Sequence, residues 1–213
     1  MSEQVVKIVS ITKLTHNIKS YKVEKPADFV FTSGQAVELA VNQKRWEKEP
    51  RPFSPVSLPK DHELEFVIKS YRESRGVTSI FDTLKRDAEL LLGDPWDCFH
   101  YKGPGLFLAG GTGVTPFLSI FRQLASDGRL AGNRLIWANT TEHDTFYDDE
   151  FHRLLDAGYL PTVGRIKLSA IRKLLKPATD WVYICGPEDF ETATVDFVTE
   201  LGVPTNKILR EEE

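Results

Sequence analysis

The hydrophobic period of this chain changes once, near Lys102-Gly103-Pro104-Gly105, and that change constrains the fold more than any other feature. Before it, Val5 to Thr15, Ile18 to Glu24, Ala36 to Val41, Phe53 to Leu58, Leu64 to Tyr71 and Glu89 to Leu92 are short β-rich or alternating segments between Pro, Gly and charged turns. Alternating side chains line opposite faces of a strand, so this half predicts an antiparallel β-barrel of Greek-key type. One helix, Thr78 to Lys85, interrupts it. After the change, the apolar runs Leu106 to Ala109, Arg134 to Ala138, Leu160 to Val163 and Trp181 to Cys185 alternate with helical patterns. Those patterns cover Pro116 to Ser126, Tyr147 to Asp156, Ser169 to Leu175 and Glu188 to Leu201. Strands alternating with helices predict an α/β domain with a parallel sheet, right-handed crossovers and a ligand at the C-terminal strand ends. The chain therefore reads as two domains, 1–102 and 103–213.

A length of 213 residues with 41% hydrophobic content suffices for two small cores. The net charge of -4, with both signs interspersed, supplies no extended basic field, which argues against nucleic acid as a partner. No apolar run approaches the roughly 20 residues that cross a bilayer, so no membrane span is expected. The N-terminal MSEQVVKIVS lacks a secretion-signal pattern, and the expected location is cytoplasmic. Cys98 and Cys185 are too few for a disulfide framework or a four-thiolate iron-sulfur cluster. His16, His62, His100, His143 and His152 lack ligand spacing, and no metal is assigned.

The run Leu106 to Ala109 leads directly into Gly110-Gly111-Thr112-Gly113-Val114-Thr115-Pro116, and a helical pattern follows. A strand, a glycine turn and a helix start form an anion cradle. Backbone N–H groups and roughly half a positive charge from the helix dipole face a diphosphate there, and the glycines let it approach. Pro116 suits a first helical turn, where its missing N–H is not needed. Thr115 brings a hydroxyl within reach of a phosphate or a nicotinamide. A glycine turn of purely structural use is the alternative, which the strand-turn-helix context disfavours.

Two further segments complement it. In Arg51-Pro52-Phe53-Ser54 the guanidinium offers a fork of donors for a phosphate, Phe53 can pack on a flat ring, and Ser54 can donate a hydrogen bond. Val67, Lys69 and Tyr71 follow on one face of a strand, and Gly76 precedes a helix start that makes a second phosphate cradle. Cys185-Gly186-Pro187 ends a strand and puts a thiol at the C-terminal edge of the sheet. Standing alone, each segment reads as an ordinary strand, turn or core cysteine. As an ordered set they read as a flavin site and a nicotinamide site.

The segments RPFSPVSLP, LEFVIKSYRESRGVTS, GGTGVTP, WANTTEHDTFYDDEF and CGPEDF resemble the ferredoxin-NADP reductase superfamily, and most of all the flavin module of cytochrome b5 reductase and nitrate reductase. The resemblance implies that Arg51, Pro52, Phe53 and Ser54 contact the flavin, with Ser54 donating to N5. It places Val67, Lys69 and Tyr71 along the flavin and its ribityl-phosphate chain. Gly76, Val77, Thr78 and Ser79 would close over a diphosphate, which implies FAD rather than FMN. Gly110, Gly111, Thr112, Gly113, Thr115, Pro116, Asn139, Thr140, Thr141, Cys185, Gly186 and Pro187 would hold the pyridine nucleotide. Cys185 would flank the nicotinamide C4, and Glu211 would supply a carboxylate near N5; with Ser54 and Thr115 these form the expected catalytic set. Two departures stand out. The family's Gly-Pro-x-Gly-x-Phe reads Gly93-Asp94-Pro95-Trp96-Asp97-Cys98-Phe99, and the family's terminal Glu-x-aromatic reads Glu211-Glu212-Glu213.

A 2'-phosphate calls for Arg or Lys after the second strand of the α/β domain, and Asn139-Thr140-Thr141-Glu142-His143 offers none, which favours NADH over NADPH. Arg165 and Arg172 are the later cations that can reach in. The activity implied is hydride transfer from NAD(P)H to FAD in the crevice between the domains. Electrons would pass on to a separate acceptor protein, whether flavodoxin, ferredoxin, a haem protein or an oxygenase. The alternatives are the reductase component of an oxygenase, a free-flavin reductase, and a non-catalytic flavin-binding subunit of a larger complex.

Overall fold

A computed structural model describes residues 3–71 and 76–211. The chain divides into two compact units, 1–98 and 99–213. The expected boundary at Gly103 thus moves four residues back, for an aromatic reason. Phe99 packs edge-on against Phe117, and Tyr101 stacks on Tyr183, so residues 99–102 belong with the second unit.

The first unit is a six-stranded antiparallel sheet: β1 (Gln4–Lys13), β2 (Ile18–Glu24), β3 (Val37–Val41), β4 (Arg51–Phe53), β5 (Glu63–Lys69) and β6 (Glu89–Leu92). Its order, β4-β3-β6-β1-β2-β5, is the crossed order expected of a Greek-key barrel. β1 carries a register shift between Ile8 and Ser10, pairing with β6 before it and β2 after it. A bulge of this kind bends a strand so that a sheet can curl. The barrel nearly closes where Val56 N–H donates to the Glu65 carbonyl at 2.8 Å. Alternate residues Val6, Ile8, Tyr21, Val23, Val37, Leu39, Leu64, Phe66, Ile68, Leu90 and Leu92 fill it. The helix α1 (Val77–Phe81) adds Val77 and Phe81 to that core.

Two expectations are corrected in this unit. The strand expected over Phe53 to Leu58 is instead β4 and ends at Phe53, because Pro55 has no N–H with which to continue the ladder. The helix expected to reach Lys85 ends at Phe81. Thr83 and Leu84 bond to residues three back, and Asp87 takes φ 66, so the chain turns away.

The second unit is a five-stranded parallel sheet: β7 (Gly105–Gly110), β8 (Arg134–Asn139), β9 (Tyr159–Val163), β10 (Trp181–Cys185) and β11 (Ile208–Arg210). The helices are α2 (Thr115–Ser126), α3 (Asp148–Leu155), α4 (Leu168–Leu174) and α5 (Glu188–Glu200). β7 is buried throughout, as a parallel strand covered on both faces should be. Leu106, Leu108, Ile136, Val182 and Ile184 point to one apolar layer. On the other side Phe107 stacks on Tyr183 at 4.1 Å and meets Phe117 and Phe121 edge-on. The strand β11 was not expected. The strand order is β11-β10-β7-β8-β9, so the path leaving β7 through α2 goes to β8 on one side and that leaving β10 through α5 goes to β11 on the other. The point where connections diverge lies between β7 and β10, and open α/β sheets place their ligands outside the strand ends at such a point.

Candidate functional site

Gly110 ends β7, one residue past Ala109, which pairs with Cys185 at the end of β10. From Gly110 the chain makes a 3-10 turn over Gly111–Val114 before α2 begins at Thr115. The turn requires glycine at two places for different reasons. A Cβ on Gly113 would lie 2.4 Å from the Cys185 carbonyl oxygen, so the turn and the end of β10 meet backbone to backbone. Gly111 has φ 56 and a Cβ there would meet nothing within 4 Å among the described residues, which leave the outer side of the turn open. Residues with this backbone conformation and no side chain form a surface that a ligand's phosphates can reach. Trp137, fully buried, donates its indole N–H to the Gly111 carbonyl at 2.7 Å and fixes the turn from below. Thr115 is buried, and its hydroxyl donates to the Thr112 carbonyl at 3.0 Å. Pro116 occupies the first turn of α2, as its missing N–H predicts.

Beside this turn lies the Cys185 corner. A Cβ on Gly186 would come 2.7 Å from the Phe190 ring and 3.1 Å from Gly110 Cα, so the two glycine segments share one wall. Pro187 caps α5 and accepts N–H bonds from Phe190 and Glu191 through its carbonyl. The Cys185 thiol is buried and donates weakly to Glu211 at 3.9 Å. Glu191 accepts the Gly186 N–H at 3.3 Å. One atom each from Cys185, Glu191 and Glu211 all lie within 4.8 Å of one another. Burial above all, and then the charge of Glu211, raise the Glu191 carboxyl above the usual carboxylate range, against the lowering effects of the Gly186 N–H and Arg210. Glu212 and Glu213 lie outside the described residues.

The segment after β8 is built differently from a simple binding loop. Asn139 is buried and its amide donates to the Thr145 hydroxyl at 3.4 Å. The Thr141 N–H and hydroxyl both donate to Asp144, at 3.0 and 2.8 Å, capping the short turn Glu142–Asp144. Two of the three expected ligand residues thus have local partners, while Thr140 is exposed. Arg165 and Arg172 are exposed as well.

In the barrel unit, Arg51 is exposed, donates to the Pro50 carbonyl at 2.7 Å and lies 3.4 Å from Glu49. Pro52 is exposed, Phe53 half-buried and Ser54 buried. Phe53 packs edge-on against Phe81 of α1 at 5.6 Å, which brings the Arg51-Ser54 segment beside the helix that follows Gly76. Val67 is buried and Lys69 half-buried on β5; the strand expected to reach Tyr71 ends at Lys69, so Tyr71 lies beyond it and does not share a strand face with them. The Lys69 ammonium sits 5.9 Å from the Tyr71 ring, which is 55% exposed. A cation beside an open aromatic face suits a phosphate-bearing planar ligand. Gly76 caps α1 without a left-handed backbone, and the Ser79 hydroxyl turns back to donate to its carbonyl at 2.7 Å. Val77 is buried and Thr78 half-buried. With one turn of helix, this second cradle has a smaller dipole than α2. Arg72 to Arg75, within the motif compared above, lie outside the described residues. In place of the family's glycine-rich stretch, Trp96 makes a two-bond bridge to Ala36.

Residues 107–160 match the oxidoreductase NAD-binding domain family. The ferredoxin--NAD(P)(+) reductase component of the naphthalene 1,2-dioxygenase system of Pseudomonas putida is 27% identical over 220 residues, covering 94% of this chain and 66% of that protein. A ferredoxin NADP+ reductase from Neisseria gonorrhoeae, solved with bound FAD and NADP, superposes with TM-score 0.86 at 18% identity over 99% of this chain and 98% of that one. The cytochrome b5 reductase domain of Ulva prolifera nitrate reductase gives TM-score 0.84 at 17% identity, covering 98% and 97%. This chain has the two-domain fold of these reductases. It spans less than two thirds of the length of the curated relatives it matches first.

Within the second unit, sequence reasoning passed over three residues that shape the corner. Phe190 sets the wall behind Gly110 and Gly186, Trp137 holds the turn, and Glu191 binds the Gly186 amide. Glu191 had one sequence signal, an acidic first turn of α5 directly after Cys-Gly-Pro. Phe190 and Trp137 read as ordinary core residues, since nothing local marks which glycine each one meets.

Proposed function

We propose that this chain is an NAD(P)H-dependent flavoprotein reductase that passes electrons to a separate acceptor protein. The observation carrying this reading is the pairing of two glycine segments at the switch point of the parallel sheet, with open space over Gly111 and a buried thiol beside it. FAD is the flavin proposed, held by Arg51, Pro52, Phe53, Ser54, Val67, Lys69, Tyr71, Gly76, Val77, Thr78 and Ser79. FAD, when bound, takes a hydride from NAD(P)H and releases the electrons singly. Arg51 and Lys69 neutralise phosphate charge, Phe53 and Tyr71 supply packing surface, and Ser54 donates a hydrogen bond. In the second unit, Gly110 to Gly113 receive the diphosphate, and Thr115 and Cys185 fix the nicotinamide ring against sliding. Catalysis by such residues is alignment, since the reaction needs its two rings held in a narrow range of approach.

Names of the relatives favour an oxygenase system as the destination of the electrons: the Pseudomonas putida protein is a reductase component of one, and the propane 2-monooxygenase reductase component of Mycolicibacterium goodii is 24% identical over 228 residues. The cytoplasm is the compartment that supplies NAD(P)H, and among the described residues no helix is long and apolar enough to cross a membrane. NADH is the preferred donor, because the segment after β8 offers Glu142 and no cation in its first turn. The purified protein should carry a chromophore whose mass is that of FAD, and NADH should outperform NADPH in steady-state reduction of an artificial acceptor. Extraction of FMN, or equal rates with both donors, would remove the corresponding part of the proposal.

A further inference from the structure

Glu191 is a titratable group in the Cys185 corner that the proposed function does not use. We propose that Glu191 is a positioning residue which holds the Cys185-Gly186 turn and shares a proton with Glu211, so that the charge beside Cys185 changes with pH. Resting on the function proposed above, the consequence is that the corner's grip on the oxidised pyridine nucleotide changes too.

The geometry supports both halves. Glu191 accepts the Gly186 N–H at 3.3 Å from the first turn of α5, and Phe190 beside it packs under Gly186 and Gly110. The turn is therefore held by one polar and one apolar contact from adjacent residues. Glu211 arrives from the other side, on the residue after β11, whose pairing sets Arg210 opposite Ile184. Cys185 Sγ and a carboxylate oxygen from each glutamate lie within 4.8 Å of one another. Two carboxyls this close, one of them partly buried, resist carrying two full charges, and one retained proton relieves the conflict. Among the described residues, the charged and titratable groups facing Glu191 are Arg210 from β11, Glu211 just after it and Cys185 from β10; the glycine turn after β7 brings no charge. Burial first and Glu211 second raise the Glu191 carboxyl.

The sign follows. Below the Glu191 titration the pair carries one negative charge, and above it two. An oxidised nicotinamide ring is cationic and its reduced form is not, so the doubly charged corner favours the oxidised nucleotide. NAD+ should bind more tightly as pH rises through the Glu191 titration, by on the order of fivefold.

The first arm of the test is a carboxyl 13C NMR titration of glutamate-labelled holoprotein, which needs no nucleotide. Glu191 should titrate above the ordinary range, and Glu211→Gln should lower its midpoint. An ordinary midpoint, or one that Glu211→Gln leaves unmoved, overturns the shared proton. The second arm is calorimetric NAD+ binding across the same pH span. Glu191→Gln keeps an acceptor for the Gly186 N–H but cannot titrate, so it should bind with a flat profile, whereas Glu191→Ala should bind more weakly at every pH. A Gln variant that keeps the wild-type profile overturns the role of Glu191. Wild-type protein that binds no NAD+ at any pH overturns the proposed function and the nucleotide half of the inference, and the NMR arm still decides the shared proton.

Discussion

At the scale of single residues, Gly113 carries the most consequence. Its missing Cβ is what lets the turn after β7 approach the carbonyl of Cys185, at a distance where an added carbon would sit 2.4 Å from oxygen. Gly113→Ala must push the two segments apart, at a cost of about 1–3 kcal/mol for the overpacking alone. Pyridine nucleotide affinity should fall in the same variant, while FAD content should not change. Calorimetric titration with NAD+ and chromophore counting check the two expectations together. The glycine run itself was legible in the sequence, since Gly110 to Pro116 follows an apolar strand. Which glycine meets which backbone was not, because Cys185 is distant in sequence and only strand order brings it there.

Among the elements, agreement is good where the period is sustained and fails where an element is short. The core strands β2, β7, β8 and β10 lie within a residue or so of the segments expected. The three-residue strand β11 has no periodicity to read and exists because β10 offers an unpaired edge. β4 is likewise only three residues long and ends at a proline-interrupted step. The opposite end of the parallel sheet carries a buried clasp that the sequence did not advertise. Arg134 at the start of β8 reaches Asp180 just before β10 at 2.6 Å, and the other Asp180 oxygen accepts the Lys176 N–H at 2.6 Å. Both side chains are almost fully enclosed, at 11% and 4% exposure, and among the described residues Arg134 Nε has no hydrogen-bond partner. Asp180→Ala would leave a buried guanidinium without its counter-charge, and should destabilise the protein by about 3–5 kcal/mol. Urea unfolding followed by tryptophan fluorescence measures it, and a loss under about 1 kcal/mol would show that water reaches the clasp. The clasp lies at the strand starts, away from Gly110 and Cys185, so NAD+ affinity should survive in the folded fraction.

On the scale of the whole molecule, two units of different architecture follow one another along the chain, an antiparallel sheet and then a parallel one. The linking residues 99–103 are bound into the second unit by aromatic stacking and by Tyr183, whose hydroxyl accepts the Lys102 and Gly103 N–H groups and donates to the Gly103 carbonyl. Burial raises the Tyr183 phenol to about 12, so it remains a donor throughout the physiological range. The fold class was legible because a change from period two to alternating strands and helices spans the whole chain. The exact seam was not, since it depends on which core the rings of Phe99 and Tyr101 enter. In the barrel, the residues expected to hold a flavin are distributed between one edge strand, the outer face of β5 and a one-turn helix, and no single interval of sequence contains them.

The proposed function requires electrons to pass from a pyridine nucleotide to a flavin. Rapid anaerobic mixing of the FAD-loaded protein with NADH tests it in a single turnover. The account predicts that the visible absorption of the oxidised flavin is lost, and that Gly113→Ala slows the loss at subsaturating NADH. A protein that holds FAD and stays yellow with both NADH and NADPH would contradict it.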